Sequence, residues 1–170
     1  MDGSDEFYEG LDELADRNRR MADGEDVEER DGRGRDIDAQ FLQEIMYSLE
    51  TVSMGTHQLL YFSAMKYAGG YLGCDADTMS GAVAELASSF DAMNIGSLEL
   101  VDDGDPAVIE LSENALTDAA PESGRTMCYF VAGYIAGFLQ NCLGDNFVVN
   151  EVACSAEDGS DRCRFEVRER

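Results

Sequence analysis

Four residues in the last quarter of the chain have the types and spacing of a metal site: Cys128, Glu151, Cys154 and Cys163. Strand alternation in FVVNEVAC puts Glu151 on the apolar face, and alternation in RCRFEVR does the same for Cys163. Cys154 has the opposite parity and can join them only where its strand ends, while Cys128 opens the preceding helix. Three thiolates and one carboxylate form a tetrahedral set suited to zinc. Because four protein ligands leave no open position for an activated water, such a metal would be structural.

The spacing alone leaves a second interpretation open. Neither a C-x-x-C pair nor a zinc-finger spacing is present, and a buried cysteine is by default a small apolar side chain. In a reducing compartment, five cysteines are expected to be thiols or metal ligands rather than disulfides. Cys74 and Cys142, which lie outside the constellation, are expected to be ordinary half-buried thiols.

The charge of the chain restricts its partners. Among 170 residues, 36 Asp and Glu oppose 12 Lys and Arg, which gives a formal net charge of -24. Such a surface argues against binding nucleic acid through its phosphates and against docking on an anionic membrane. Carboxylates with almost no lysine are typical of salt-accumulating archaea, because molar salt shortens the Debye length to about 3 Å and screens the repulsion. The alternative is an acidic tail that binds a basic partner.

The elements that must position these residues fall in a C-terminal domain. Residues 1–35, with stretches such as ADGEDVEERDGRGRD, bury little and are predicted to be a disordered acidic tail; residues 36–170 form the domain. The first residues, MDGSDEFYEG, lack the apolar core of a signal peptide, which favours the cytoplasm. Periodicity predicts helices over 36–52, 56–73 and 78–94, and then a hairpin from SLELVDD and AVIELSE.

A helix over residues 126–143 and two more strands complete the predicted order, which is typical of an α+β fold with helices on one face of an antiparallel sheet. The uncharged run of this helix could be a membrane span, but Gln140 and Asn141 within it favour a buried helix of a globular domain. Gly133 and Gly137 lie four residues apart and form a smooth ridge. Gly69, Gly70 and Gly73 offer a similar surface, so the two helices are expected to pack together there.

Apolar clustering indicates a possible ligand pocket. Methionines and aromatic residues recur along the predicted helices, and Tyr61, Met65, Phe90 and Phe130 are the predicted lining. The alternative is that these side chains are ordinary core. His57, the only histidine, is expected to be a satisfied histidine at the core or its rim.

The C-terminal stretch GRTMCYFVAGYIAGFLQNCLGDNFVVNEVACSAEDGSDRCRFEVRER resembles the signature of the 4-vinyl reductase domain family. Upstream, GTHQLLYFSAMKYAGGYLG is similar to the family's first helix and AMNIGSLELVDDGDPAVIELSEN to its middle hairpin, so the resemblance covers residues 51–168. It implies a ligand-binding fold shared with a vesicle-tethering (TRAPP-type) subunit. It also implies that Cys128, Glu151, Cys154 and Cys163 take the places of the zinc ligands in the family's aromatic sensors. The loop before Cys163 is one residue longer than in those sensors, and SENA stands where many members have a cysteine.

The resemblance implies a non-enzymatic domain that binds a small apolar or aromatic ligand and acts through partner proteins. No nicotinamide, flavin or phosphate-loop motif points to an enzyme. A structural adaptor is the alternative, and an accessory in tetrapyrrole vinyl reduction is the third candidate. A homodimer is expected, with the helix over 36–52 as its interface.

Overall fold

A computed structural model describes residue 45, residues 55–117, residue 126 and residues 128–170 of the chain. The predicted tail over 1–35 lies outside the described residues. So does the predicted helix over 36–52, apart from Ile45, which is helical and 40% exposed. The division of the chain at residue 35 therefore stays a prediction.

Three long helices and four strands make up the described part of the chain. The helices are α1 (Thr56–Tyr71), α2 (Met79–Ala92) and α3 (Tyr129–Leu143), and a single turn, α4 (Ser155–Asp158), lies between the last two strands. The hydroxyl oxygen of Thr78 caps α2 by accepting the N–H of Gly81 at 3.2 Å. At the other end of the domain, α3 stops at Gly144, whose φ of +79° suits a residue without a side chain.

The strands form one antiparallel sheet and confirm the predicted α+β fold. They are β1 (Ser97–Asp102), β2 (Ala107–Ser112), β3 (Phe147–Ala153) and β4 (Arg162–Glu169), in the order β1-β2-β4-β3. The hairpin of β1 and β2 forms as the alternation predicts, and β4 pairs with β2 on one side and β3 on the other. Consequently β3 lies at an edge of the sheet.

One face of the sheet is apolar and carries the helices. Along β4, Cys163, Phe165 and Val167 are buried while the residues between them are more exposed, which is the alternation of a sheet packed on one side. α2 packs next to β1 and α3 next to β3, and α1 covers α3. Arg162 on the open face pairs with Glu110 of the neighbouring strand at 2.9 Å.

Glycines set the distance between α1 and α3. A Cβ added at Gly133 would overlap the carbonyl oxygen of Tyr61, and one added at Gly137 would overlap that of Met65. On the facing helix, a Cβ at Gly69 would lie 3.1 Å from the carbonyl oxygen of Gly137. The predicted packing of the two glycine-bearing helices is therefore confirmed, and their backbones touch.

The expectation that Cys74 and Cys142 are thiols was wrong. These cysteines form a disulfide with a Cα–Cα distance of 5.3 Å, although 68 residues separate them in the sequence. The close crossing of α1 and α3 accounts for it, because Cys74 follows α1 and Cys142 lies in the last turn of α3. Within the described ranges, no helix is long and apolar enough to cross a bilayer.

Candidate metal centre and adjoining cavity

Four elements bring Cys128, Glu151, Cys154 and Cys163 to one point. Cys128 precedes the first residue of α3, Glu151 lies in β3, Cys154 follows β3, and Cys163 is the second residue of β4. One ligand atom from each residue lies within 4.8 Å of the others, and all three cysteines are buried. The cluster therefore joins the start of one helix to the ends of two paired strands.

A β-bulge explains how residues of opposite strand parity meet. The pairing of β3 with β4 shifts register between Glu151 and Ala153, which turns the strand end toward the core. Cys154 then enters the interior with an exposure of 0%, and the chain continues into the turn of α4. The parity argument located the break in the strand, and the bulge is the device that produces it.

The distances within the cluster are short for uncoordinated sulfur atoms. The Sγ of Cys128 lies 3.6 Å from that of Cys163 and 3.9 Å from that of Cys154. The backbone N–H of Cys128 donates to Oε2 of Glu151 at 2.8 Å. That bond holds the carboxylate against the start of α3, so the orientation of Glu151 does not depend on a metal.

Burial and mutual contact change the acidity of these groups. Burial raises the pKa of Glu151 to about 7. Hydrogen bonds with Cys154 and Cys163 raise the pKa of Cys128 well above the ordinary thiol value. The bonds that Cys128 and Cys154 direct at Cys163 lower the pKa of that thiol. Without a cation, the cluster thus concentrates negative charge on Cys163 and keeps the neighbouring thiols protonated.

The donor set fits a metal ion. Oε1 of Glu151 is buried and has no hydrogen-bond partner among the described residues, although an unpaired buried carboxylate oxygen is costly. Three sulfur atoms and that carboxylate are the soft and borderline donors that zinc prefers, in the number of a closed tetrahedral shell. A divalent cation here would satisfy the oxygen and hold the thiols as thiolates.

A cavity of about 780 Å³ adjoins the cluster and shares Glu151 with it. It lies between α1, α3 and β3, where the hydroxyl of Tyr61 accepts the N–H of Val149 at 3.3 Å. The wall is mixed, with aromatic rings and aliphatic side chains beside several amides and one guanidinium. It is lined by Tyr61, Phe62 and Met65, by Thr126, Tyr129, Ala132 and Gln140, by residues 146–151 and by Arg170.

Two of the four residues predicted to line a pocket face this cavity, namely Tyr61 and Met65. The other two belong elsewhere, which corrects the predicted lining. Phe90 is only 1% exposed and packs edge-on against Tyr134, with ring centroids 5.6 Å apart. Phe130 and Tyr134 lie one helical turn apart on α3 with centroids 6.0 Å apart, a helix face different from that of Tyr129 and Ala132. Apolar clustering alone could not distinguish these two faces of α3.

Two groups that matter to the site gave little signal in the sequence. Asn114, in the turn after β2, is a buried polar residue beside two of the cluster's sulfur atoms. Tyr129 lines the cavity and stacks on His57 with ring centroids 4.2 Å apart. The SENA stretch was visible as a departure from a pattern, but its contact with the cysteines depends on how the hairpin folds back.

Sequence comparisons agree with the resemblance over the C-terminal part. Residues 107–169 match the family model of the 4-vinyl reductase domain. Two uncharacterized proteins of Methanocaldococcus jannaschii are similar: one is 29% identical over 84 residues, 49% of this chain, and the other 36% identical over 92 residues, 51% of this chain. These matches cover 51% and 55% of the relatives, so the chain spans about half the length of the curated relatives it matches. A halophilic origin stays a prediction.

Solved structures share the fold. A vinyl-4-reductase family protein from Methanocaldococcus jannaschii is 26% identical, with a TM-score of 0.52 over 77% of this chain and 78% of that one. A trafficking protein particle complex subunit 3 from Naegleria fowleri, covalently bound to palmitic acid, is 17% identical, with a TM-score of 0.58 over 78% and 95%. The phenol-responsive sensory domain of the transcription activator PoxR, with phenol, is 14% identical, with a TM-score of 0.54 over 78% and 75%.

Proposed function

We propose that this chain is a sensor domain of the 4-vinyl reductase type without catalytic activity, which binds a small apolar or aromatic molecule and is held together by a structural zinc ion. One observation carries the proposal: Glu151 is at once a wall residue of the cavity and a member of the cysteine cluster. A cluster that holds this residue also holds the end of β3, and therefore part of the ligand-binding wall.

The role of the metal is to fix geometry. Cys128, Glu151, Cys154 and Cys163 would hold it, and the ion would supply the positive charge that keeps the buried ligands deprotonated. Four protein ligands close a tetrahedral shell, so no position is left for a substrate or an activated water. The protein's own part is to tie the start of α3 to the ends of β3 and β4.

The cavity supports ligand binding rather than scaffolding alone. Its volume of about 780 Å³ falls in the range of small-molecule sites, roughly 300–1,000 Å³. Tyr61, Phe62 and Tyr129 offer ring faces, and Asn146 and Asn150 offer amides that could orient a polar group. The ligands named for two fold neighbours, palmitic acid and phenol, suggest fatty acids and phenols as the first probes.

A tryptophan in the cavity wall is expected to report the ligand. The chain has no tryptophan, so Phe62→Trp introduces a single fluorophore beside the cavity. Phenol or decanoate should change its emission in a saturable manner, because a bound ligand replaces water around the indole ring. The measurement is a fluorescence titration in molar KCl.

Tyr71→Trp is the matched control for this titration. Tyr71 lies on the same helix and is 57% exposed, the same fraction as Phe62, but it does not line the cavity. Its emission should not respond to either probe. An equal response from both variants would mean nonspecific adsorption on α1. If neither variant responded to either compound, the adaptor function would replace the sensor proposal.

The homodimer belongs to the same proposal and is also what the adaptor alternative requires. Large apolar side chains are exposed along α1, among them Leu59, Phe62, Tyr67 and Tyr71. A contiguous apolar face of this kind usually marks a protein contact, and a two-fold association of identical chains is the commonest form. We propose a second copy as the partner of this face.

Light scattering of the full chain in molar KCl tests the dimer. The expected mass is twice the 18.6 kDa of one chain. Tyr67→Glu would place a charge in the proposed contact and should lower the mass to that of the monomer, whereas Glu157→Gln, on an exposed position of α4, should not. A monomeric mass for the unmodified chain would refute the dimer.

A further inference from the structure

The side chain of Asn114 points into the cysteine cluster without being one of its four members. The residue is 3% exposed, and its Nδ2 lies 3.3 Å from Sγ of Cys128 and 3.4 Å from Sγ of Cys163. Both distances are those of N–H···S hydrogen bonds. One amide group therefore contacts two sulfur atoms that come from different elements of the fold.

The orientation of this amide is fixed by the backbone. The N–H of Leu116 donates to Oδ1 of Asn114 at 3.1 Å, so the carbonyl side of the amide faces the turn and the NH₂ group must face the sulfur atoms. The same turn is closed by Thr117, whose N–H and hydroxyl both donate to the backbone oxygen of Asn114. Glu113, with φ at +52°, makes the sharp bend that directs the next residue inward.

Charge gives this contact its purpose. Three thiolates and a carboxylate around a divalent cation leave excess negative charge in a buried place, which is unfavourable unless donors share it. Asn114 supplies two donors while adding no charge, and the hydroxyl of Ser155, 3.4 Å from Sγ of Cys163, stands beside them. We infer that Asn114 is a positioning residue of the metal centre, which orients the sulfur atoms of Cys128 and Cys163 and stabilises their thiolate form. The inference rests on the metal site of the proposed function.

Cobalt binding by the full chain tests the inference, with the metal alone as the probe. Asn114→Ser keeps a neutral acceptor for the turn, but its hydroxyl is too short to reach both sulfur atoms. Asn114→Asp keeps the shape and the acceptor and removes both donors. Each variant should bind Co²⁺ about 10–100-fold more weakly in competition with a chelator. The sulfur-to-cobalt charge-transfer band of Asn114→Ser should also move to longer wavelength, because the N–H donors lower the energy of the sulfur lone pairs.

Asn94→Ser is the matched control, since Asn94 also occupies a turn with a positive φ, of 53°, but lies on the surface away from the cluster. It should bind Co²⁺ like the unmodified chain. If the unmodified chain binds Co²⁺ and Asn114→Ser shows the same affinity and spectrum, the inference is wrong while the metal site stands. If the unmodified chain binds no Co²⁺, both are wrong. Should Asn114→Asp fail to fold, the spectrum of Asn114→Ser decides.

Discussion

Cys154→Ser is expected to abolish stoichiometric zinc binding and to remove much of the stability of the domain. The residue is completely buried and stands where the end of β3, the start of β4 and the start of α3 meet. Because the site forms only when the chain folds, the binding free energy of the metal adds to the free energy of unfolding. A serine hydroxyl stays protonated at neutral pH and is a poor zinc ligand. We therefore expect a loss of at least about 5 kcal/mol, a large share of the stability of an ordinary domain.

Two measurements check this result: elemental analysis for zinc per chain, and chemical unfolding in molar KCl with and without a chelator. The chelator should destabilise the unmodified chain by a similar amount and leave Cys154→Ser unaffected. Replacing Cys74 and Cys142 together by serine is the matched control, since it removes the disulfide while leaving the cluster intact. That variant should retain one zinc per chain. Full zinc content in Cys154→Ser would contradict the proposed ligand set.

The fold was predictable from the sequence where local patterns determine it. Alternation in AVIELSE and RCRFEVR identified β2 and β4, since one buried face imposes a period of two on the side chains. Helical spacing located α1 and α2 to within a few residues of their observed ends. The odd parity of Cys154 even indicated a break in β3, because a residue on the wrong face reaches the core only through a bulge.

What the sequence could not supply is contact between distant segments. The disulfide of Cys74 and Cys142 depends on where two helices end relative to each other, and no local pattern records this. The amide of Asn114 reaches the cluster only because the β1–β2 hairpin folds back on β4. Phe90 is an apolar helix residue like Met65, and only the rotation of its helix decides that it enters the core instead of the cavity wall.

Replacing Gly133 or Gly137 by alanine should separate α1 from α3. The added Cβ would overlap the carbonyl oxygen of Tyr61 or Met65, and a backbone carbonyl of a helix cannot rotate away as a side chain can. Overpacking usually costs about 1–3 kcal/mol, and a clash with fixed backbone belongs at or above the upper end. We expect each substitution to lower the free energy of unfolding by at least about 4 kcal/mol, measured by chemical unfolding. Because Tyr61 and Met65 also line the cavity, the variants that still fold should bind probe ligands more weakly.

Gly70→Ala separates this effect from the general consequence of adding a methyl group to a helical glycine. Gly70 lies in α1, and a Cβ built there meets no atom within 4 Å. Alanine has the higher helix propensity, so this variant should be as stable as the unmodified chain or more stable, by up to about 1 kcal/mol. A matching loss in all three variants would show that chain flexibility, not the helix crossing, is what the glycines provide. Unchanged stability in Gly133→Ala and Gly137→Ala would mean that α1 does not touch α3 there, and the cavity wall formed by Tyr61 and Met65 would then have to be redrawn.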